Sequence, residues 1–285
     1  RYTREEMVHL ARDGINAYRN WPQFTGLEHP RAEFQQKGIL WMPGDDRAWS
    51  QSEHKRMAAL GVATQLLNDE DIRSLYPSMN TCSCVVDVLG AKEHDCSGGS
   101  EHLLEIDGGY IDPVSAAEDL VQACCASGVE VKFCASVVQV DTIGGRVEGV
   151  SLADGSKISA PCVINAAGPW CNRIFESLDF EPGWVLKPTR IQMLYLDRPA
   201  ELVGDLPVTV DMNNGIYFRL QNRGQQIVVG SILEEDEQES VADPEEFNRF
   251  SDEDFTVAKL HVLHHRLPTL PYRGAIKGCS GLYTV

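Results

Sequence analysis

A tyrosine and an arginine stand two positions apart in the segment Gly215–Leu220, where apolar and polar side chains alternate. Alternation predicts a strand, and residues two apart on a strand point to the same face. Tyr217 would then present a hydroxyl and Arg219 a guanidinium on one surface, and a guanidinium suits the binding of a carboxylate. An ordinary surface charge is the other interpretation of Arg219.

A run of small residues, Ala166-Ala167-Gly168, follows the apolar segment that begins at Cys162. Small residues at the end of a buried strand let the backbone approach a ligand closely, because no side chain stands in the way. A tight turn from a strand into a helix would need the same glycine. The run is therefore a candidate ligand contact with a purely structural alternative.

A metal site is a further chemical possibility. Cys82 and Cys84 stand near His94 and Cys96, but neither pair has the two- or four-residue gap of zinc-binding motifs. The pair His264-His265 beside an arginine at a helix end fits an interaction with the helix dipole better than a ligand pair. The sequence therefore indicates no metal centre.

Composition and charge narrow the class of protein. The 285 residues carry a net charge of −17, which argues against binding the phosphate backbone of nucleic acids. No stretch reaches the ~18 uncharged apolar residues of a membrane-spanning helix. The nine cysteines form no C-x-x-C pair, and several lie in apolar runs, which is typical of small buried residues in a reducing compartment. We expect an intracellular protein of the cytoplasm or an organelle matrix.

Hydrophobic periodicity and turn residues predict a mixed α/β (α+β) chain. A helix is expected in the opening segment, where Thr3 and Glu6 form a capping box and Pro22 ends the helix; the residues that recur on one of its faces are Met7, Leu10, Ala11, Tyr18 and Trp21. Further helices are expected at 53–60, 69–76, 114–127, from Asp243 onward, and at 252–265. Strands are expected at 34–42, 129–133, 137–141, 147–152, 157–159, 162–168, 189–196, 208–210, 215–220 and 226–232.

Five phrases of the sequence, taken in order, resemble the FAD-dependent amine oxidoreductases of the D-amino-acid oxidase family, which includes glycine oxidase, sarcosine oxidase and dimethylglycine dehydrogenase. The phrases are Gly108–Pro113, Arg146–Val150, Asn165–Trp170, Gly215–Arg219 and Gly281–Thr284. Each phrase is weak alone, but together they span nearly the whole chain. The resemblance implies an FAD-binding domain interleaved with an antiparallel-sheet substrate domain.

The implied FAD domain comprises residues 1–33, 106–185 and 276–285, and the implied substrate domain comprises 34–105 and 186–275. The family's first strand and its G-x-G-x-x-G loop, which offers backbone N–H groups to the FAD pyrophosphate, are not found in the sequence. The stretch that normally follows the last phrase is not found either. We therefore expect the chain to be an internal fragment of a longer enzyme, inactive by itself if the missing loop is needed.

The resemblance also implies roles for individual residues. Tyr217 and Tyr283 would line the substrate cavity, with Arg219 as the carboxylate partner. The residues implied at the cofactor are Val137 at the adenine, Ala166, Ala167, Gly168, Trp170 and Gly281. Monomeric sarcosine oxidases carry a flavin-linking cysteine at the position of Gly281, so a cysteinyl flavin at this position is not expected. No residue is identified as a general base.

The implied reaction is the oxidation of an amine by hydride transfer to FAD, after which water hydrolyses the imine. Tyr283 stands where glycine and D-amino-acid oxidases have an arginine. N-methyl amino acids such as sarcosine or dimethylglycine are therefore the first substrates expected, and D-amino acids or glycine the second. The electron acceptor is left open between oxygen and a carrier. The alternative is a non-catalytic flavin-fold protein that docks through the acidic segment Glu234–Asp254, which is otherwise a solvated face.

Overall fold

The computed structural model of the chain describes residues 4–44, 46–90, 100–178, 180, 182–184, 186–271 and 276–285. They form a mixed α/β fold in two compact units. The first unit comprises Arg1–Gly128, Gln192–Leu233 and Ser251–Cys279, and the second comprises Val129–Ile191, Glu234–Phe250 and Ser280–Val285. These borders differ from those expected for an FAD and a substrate domain. Packing alone does not identify which unit holds a cofactor, so the functional division stays a prediction.

The helices are α1 Glu5–Arg19, α2 Trp21–Thr25, α3 Arg47–Ala59, α4 Asp69–Leu75, α5 Pro113–Ala126, α6 Cys171–Glu176 and α7 Glu253–Arg266. Two 3₁₀ turns occur at Gly168–Trp170 and Glu234–Glu237. Capping chemistry sets two helix starts where the sequence predicts them. Asp112 accepts the backbone N–H of Ser115 at the start of α5, and Asn68 forms a complete capping box at α4.

The strands are β1 Gln35–Gln36, β2 Ile39–Met42, β3 Thr64–Asn68, β4 Glu101–Glu105, β5 Gly109–Tyr110, β6 Val137–Ile143, β7 Arg146–Leu152, β8 Lys157–Ser159, β9 Pro188–Asp197, β10 Val208–Asp211, β11 Ile216–Gln221, β12 Gln226–Ser231 and β13 Ile276–Thr284. An eight-stranded sheet has the order β13-β9-β12-β11-β10-β2-β4-β3, and a three-stranded sheet has the order β6-β7-β8. The predicted antiparallel pairing of β9, β12, β11 and β10 is confirmed. Strand β2 pairs with β10 in parallel.

One face of the large sheet forms the main core of the first unit. Phe218, Val229 and Leu194 lie opposite one another on β11, β12 and β9 and are fully buried. They belong to the same apolar cluster as Leu263 and Val262 of α7. Because alternate strand residues point to opposite faces, this burial leaves the neighbours of Phe218 on the other face of the sheet.

A buried ion pair joins the end of α7 to the end of β10. Arg266 and Asp211 are each 1% exposed, and the guanidinium Nε and Nη2 donate to Asp211 Oδ2 at 3.0 and 2.7 Å. A third guanidinium nitrogen, Nη1, donates to the carbonyl of Asn80. The arginine at this helix end is therefore a buried structural residue, which the sequence did not reveal.

The opening segment differs from its prediction. Helix α1 begins at Glu5 without a side-chain cap, and Thr3 lies outside the described residues. Of the residues predicted to share one face, Trp21 is buried and Ala11 is half-buried. Met7, Leu10 and Tyr18 are exposed, whereas Val8, which the prediction did not include, is buried. The chain resumes as α2 with Pro22 in its first turn, a position where a missing N–H costs no hydrogen bond.

Two predicted strands and one predicted helix do not form. Residues 129–133 and 162–168 make no ladder with any described residue, and Ile164 is largely exposed. A short apolar run becomes a strand only where a neighbouring edge can pair with it. At Asp243 the side chain accepts the N–H of Glu245 at 2.8 Å, which makes a turn where the sequence predicts a helix.

The cysteines are less buried than predicted. Cys82 and Cys171 are buried, but Cys124, Cys125 and Cys162 are exposed. Apolar neighbours in sequence lie on other sides of a helix or in an open segment, so they do not bury the thiol with them. Within the described ranges, no helix has the length and apolar character that crossing a membrane requires.

The buried ion pair generates the first prediction. Asp211→Asn leaves the Arg266 guanidinium buried without a countercharge, so the free energy of unfolding should fall by about 3–5 kcal/mol. Urea denaturation followed by circular dichroism measures the change. The matched control is Asp205→Asn, because the Asp205 carboxylate, which pairs with Lys37, is exposed and the pair should contribute about 1 kcal/mol or less. Equal effects of the two substitutions would contradict the assignment.

Candidate functional site

Strand β11 carries the two substrate-binding candidates of the first unit on one face. Buried residues alternate with half-buried ones along Ile216–Gln221, and Tyr217 and Arg219 are both half-buried. Their neighbour Phe218 points into the core. The predicted same-face arrangement of Tyr217 and Arg219 is therefore what the backbone produces.

A glycine on the next strand makes room for the Tyr217 ring. Gly230 lies opposite Tyr217 in the β11–β12 pairing, and Met193 lies opposite Gly230 on β9. A Cβ added to Gly230 would stand 2.6 Å from three atoms of the tyrosine ring, so any other residue would displace the ring. The hydroxyl lies 3.5 Å from Met193 Sδ. The ring thus lies across β12, in the space that is open because Gly230 has no side chain.

Arg219 stacks on an aromatic ring that the sequence reasoning missed. Its guanidinium carbon lies 4.3 Å from the ring centroid of Tyr110, a cation–π distance. One of its donors, Nη1, reaches the carbonyl of Leu220 at 3.2 Å. The remaining guanidinium donors have no hydrogen-bond partner among the described residues. Arg219 is therefore a positioned cation with unused donors.

Tyr195 lies in the same cross-strand row as Arg219, with Val228 between them. Burial, followed by a hydrogen bond with the Cys279 side chain, raises the pKa of Tyr195 to about 12. Its hydroxyl therefore keeps its proton at neutral pH. The alternation of the predicted strand 189–196 was the only signal that could have identified Tyr195.

Two further predicted residues lie on β13 in the second unit. Tyr283 is exposed, and a Cβ added to Gly281 would meet no atom within 4 Å. The structure of this unit alone assigns them no partner, and their roles at the substrate and the cofactor stay predictions.

A cavity in the second unit brings together four of the six residues predicted at the cofactor. It has a volume of about 630 Å³, and Val137, Ala166, Ala167 and Trp170 line it. Gly168 is not in its wall but begins the adjacent 3₁₀ turn with φ +53°, a left-handed conformation that favours glycine. Residues of β6 and of the segment around Gly168 therefore line one cavity.

Two polar residues at this cavity were missed. Glu245 lines it and accepts a hydrogen bond from Trp170 Nε1 at 2.9 Å. Arg173 also lines it and forms an ion pair with Asp243 at 2.6 Å. Glu245 belongs to the acidic segment, whose predicted role was a solvated face or a docking surface. Because several of its acids are bonded within the unit, the segment has a structural role there.

The residues at this cavity fit the adenosine end of FAD. The volume lies within the range of roughly 300–1,000 Å³ typical of cofactor pockets. Apolar branched side chains such as Val137 and Val163 suit a flat heteroaromatic ring, and Glu245 suits ribose hydroxyls. A Cβ added to Gly168 would meet no atom within 4 Å, so the backbone there is open to a ligand.

The described residues add no support for a metal site near Cys82 and Cys84. Cys82 is buried and Cys84 half-buried, whereas His94 and Cys96 lie outside the described residues. In the part of the chain that the structure describes, no group of three or more histidine, cysteine or acidic side chains could hold an ion.

Curated relatives of the chain include sarcosine dehydrogenase. The mitochondrial sarcosine dehydrogenase of Mus musculus is 29% identical over 188 residues, which cover 63% of this chain and 18% of that protein. The human enzyme of the same name is 29% identical over 189 residues. The chain thus matches less than a fifth of the length of these relatives.

Solved structures share the fold along almost the whole chain. L-proline dehydrogenase from P. horikoshii superposes with a TM-score of 0.79 at 16% identity, covering 99% of this chain and 68% of that one. Glycine oxidase from Bacillus cereus superposes with a TM-score of 0.74 at 14% identity, covering 100% and 70%. The family model described as FAD dependent oxidoreductase matches residues 1–281. The chain therefore belongs to the DAO family of FAD-dependent oxidoreductases.

Proposed function

We propose that the chain is part of a flavoenzyme that oxidises an amino acid at the carbon next to its amine nitrogen, with N-methyl amino acids such as sarcosine as the preferred substrates. The observation that carries the proposal is the positioned, partly unused guanidinium of Arg219 beside the hydroxyl of Tyr217 on one sheet face. Family membership supplies the cofactor class. D-amino acids or glycine are the second substrate candidates.

The sheet face is suited to holding the substrate carboxylate. Arg219 offers N–H donors in a fixed planar arrangement, and a carboxylate accepts two such donors at once. Stacking on Tyr110 limits the guanidinium to few orientations, which reduces the conformational entropy lost on binding. Tyr217 adds a hydroxyl on the same face, whereas the hydroxyl of Tyr195 is already hydrogen-bonded with the Cys279 side chain.

The preference for N-methyl amino acids rests on two observations outside this sheet face. Position 283 carries a tyrosine. By the resemblance to the family, the corresponding residue of glycine oxidases and D-amino-acid oxidases is an arginine. The relatives in Mus musculus and Homo sapiens are named sarcosine dehydrogenase. These two observations favour N-methyl amino acids over D-amino acids and glycine.

The second-unit cavity is the proposed adenosine site. Val137, Ala166 and Ala167 would contact the adenine ring, and Glu245 would accept hydrogen bonds from ribose hydroxyls. Gly168, Trp170 and Gly281 are proposed contacts further along the cofactor. When bound, FAD supplies the two-electron acceptor for the C–H bond next to the amine nitrogen. The chain contributes the orientation of that bond by holding the carboxylate.

Removal of the Tyr217 hydroxyl tests the substrate site. In the purified, FAD-loaded flavoenzyme that contains this chain, anaerobic addition of sarcosine should bleach the visible flavin band. Tyr217→Phe should slow this reduction about tenfold to a hundredfold, because one hydrogen bond to a charged group contributes about 1.5–3 kcal/mol. Stopped-flow absorbance measures the rate. Tyr76→Phe is the matched control, since Tyr76 packs against the core cluster and should reduce at the wild-type rate.

Unchanged reduction in both Tyr217→Phe and Tyr283→Phe would contradict the substrate assignment. Failure of sarcosine, D-alanine and glycine alike to bleach the bound flavin would contradict the proposed reaction and favour the non-catalytic alternative. Faster reduction by D-alanine than by sarcosine would retain the reaction and reverse the order of the substrates.

Filling the second-unit cavity tests the cofactor site. Ala167→Leu adds three carbons to the wall and should reduce FAD retention by about tenfold, which corresponds to roughly 1.4 kcal/mol. Flavin absorbance per protein after gel filtration measures retention. Ala153→Leu is the control, because Ala153 is exposed in the same unit, outside the cavity. Equal retention in the two variants would show that the cavity does not bind the cofactor.

A further inference from the structure

A polar cavity lies at the edge of the large sheet in the first unit. Its volume is about 360 Å³, and its wall comes from α3, α4 and the region where β3 and β4 pair. Strand β3 is the last strand of the sheet at this edge, and β10, β2 and β4 lie between it and β11, which carries Tyr217 and Arg219. The proposed oxidation of amino acids uses no residue of this cavity.

Two adjacent residues of the cavity wall each have a buried polar atom that no described residue binds. Ser100 is 4% exposed, and its Oγ has no hydrogen-bond partner in the described part of the chain. Glu101 is half-buried, and its Oε1 is a buried oxygen that likewise accepts no hydrogen bond from the described residues. Such atoms destabilise a protein unless something binds them, so each requires an explanation.

Other polar groups of the wall are bonded elsewhere. Asp69 Oδ1 is hydrogen-bonded to Nε2 of His102 at 2.9 Å. Arg73 donates from Nη2 to Thr81 Oγ1 at 2.9 Å. The hydroxyl of Ser100 and the Oε1 atom of Glu101 are therefore the buried groups that this wall offers to a ligand.

The wall also carries charges of both signs. Arg47 and Arg73 are cationic, whereas Glu70 and Glu101 are anionic. An anion would be repelled by the two carboxylates and a cation by the two guanidinium groups, so an ion of either sign meets a like charge. A hydroxyl group avoids both repulsions, since it donates to a carboxylate and accepts from a guanidinium. The wall therefore favours a ligand that has several hydroxyl groups and no net charge.

We propose that this cavity binds a neutral cyclic polyol of the size of a monosaccharide. One hydroxyl of the ligand donates to Glu101 Oε1, and a second one bonds to Oγ of Ser100, the adjacent residue. Hydrogen bonds to ionised groups are about twice as strong as those between neutral groups, so the carboxylates and guanidinium groups hold further hydroxyls. A cavity of roughly 150 Å³ suffices for benzene, and about 360 Å³ is enough for a six-membered ring with its hydroxyl groups.

The site is tested by comparing myo-inositol with cyclohexanol, which has the same ring and a single hydroxyl. Saturation-transfer NMR on the purified flavoenzyme that contains this chain gives both dissociation constants. The wild type should bind myo-inositol about tenfold or more tightly than cyclohexanol, because cyclohexanol lacks most of the hydrogen bonds to charged groups. Methylammonium or acetate, added at the same concentration, should not displace the bound myo-inositol.

Two substitutions locate the binding. Ser100→Ala removes the hydroxyl and should weaken myo-inositol binding about tenfold. It should not lower the melting temperature of the ligand-free protein, measured by circular dichroism, because this hydroxyl has no bond to a described residue that could be lost. Glu101→Ala removes the buried acceptor and should weaken the binding as well. Ser74→Ala is the matched control, since Ser74 is exposed on α4 and outside the cavity wall, and it should leave the dissociation constant unchanged.

Several results would overturn the proposal. They are the absence of myo-inositol binding, equal binding of the two ligands, and binding that survives Ser100→Ala or Glu101→Ala. Displacement by methylammonium or by acetate would show a site for an ion instead. A lower melting temperature of Ser100→Ala would show that the hydroxyl has a structural role in the ligand-free protein. Because flavin reduction is not measured, these outcomes are independent of the proposed oxidation.

Discussion

The ion pair between Asp211 and Arg266 is the constraint on which the sheet face with Tyr217 and Arg219 depends. Asp211 is the last residue of β10, and besides Arg266 it binds the backbone N–H and the side-chain amide of Asn214 at 3.3 and 3.2 Å. It thereby shapes the turn that leads into β11 and ties that turn to the end of α7. A shift of one residue in a strand would exchange its two faces. The buried charges therefore help to keep Phe218 in the core and Tyr217 outside it.

The sequence predicted the local part of this arrangement and missed the cross-strand part. Period-two alternation in 215–220 was enough to place Tyr217 and Arg219 on one face. The space that Gly230 leaves for the Tyr217 ring and the stacking of Arg219 on Tyr110 join residues far apart in the chain. No pattern within one strand encodes which residue lies opposite on another. The alternation of 189–196 marks Tyr195 only after the strand order is known.

In the second unit a predicted strand was wrong, although residues predicted at the cofactor line one cavity. The segment 162–168 was predicted as a buried strand, and it is an open segment with an exposed Ile164. Ala166 and Ala167 nevertheless line the same cavity as Val137, as their implied roles at one cofactor require. The small side chains of Ala166 and Ala167 were the useful signal, because a ligand can approach the backbone closely wherever side chains are small, whether or not the segment forms a strand. Glu245 was missed because an acidic run predicts a solvated surface.

Two buried acids of the first unit show why burial alone does not define a site. Asp119 is fully buried, and burial would raise the pKa of its carboxyl. The backbone N–H groups of Arg31 and Ala32 and the indole N–H of Trp21, each at 2.9 Å, outweigh burial and lower that pKa. Asp119 is therefore a structural carboxylate whose two oxygens are both satisfied. Glu105 receives one such bond and keeps a raised pKa. The difference lies in the number of donors that the fold supplies to each carboxylate, so burial alone identifies neither of them as a ligand site.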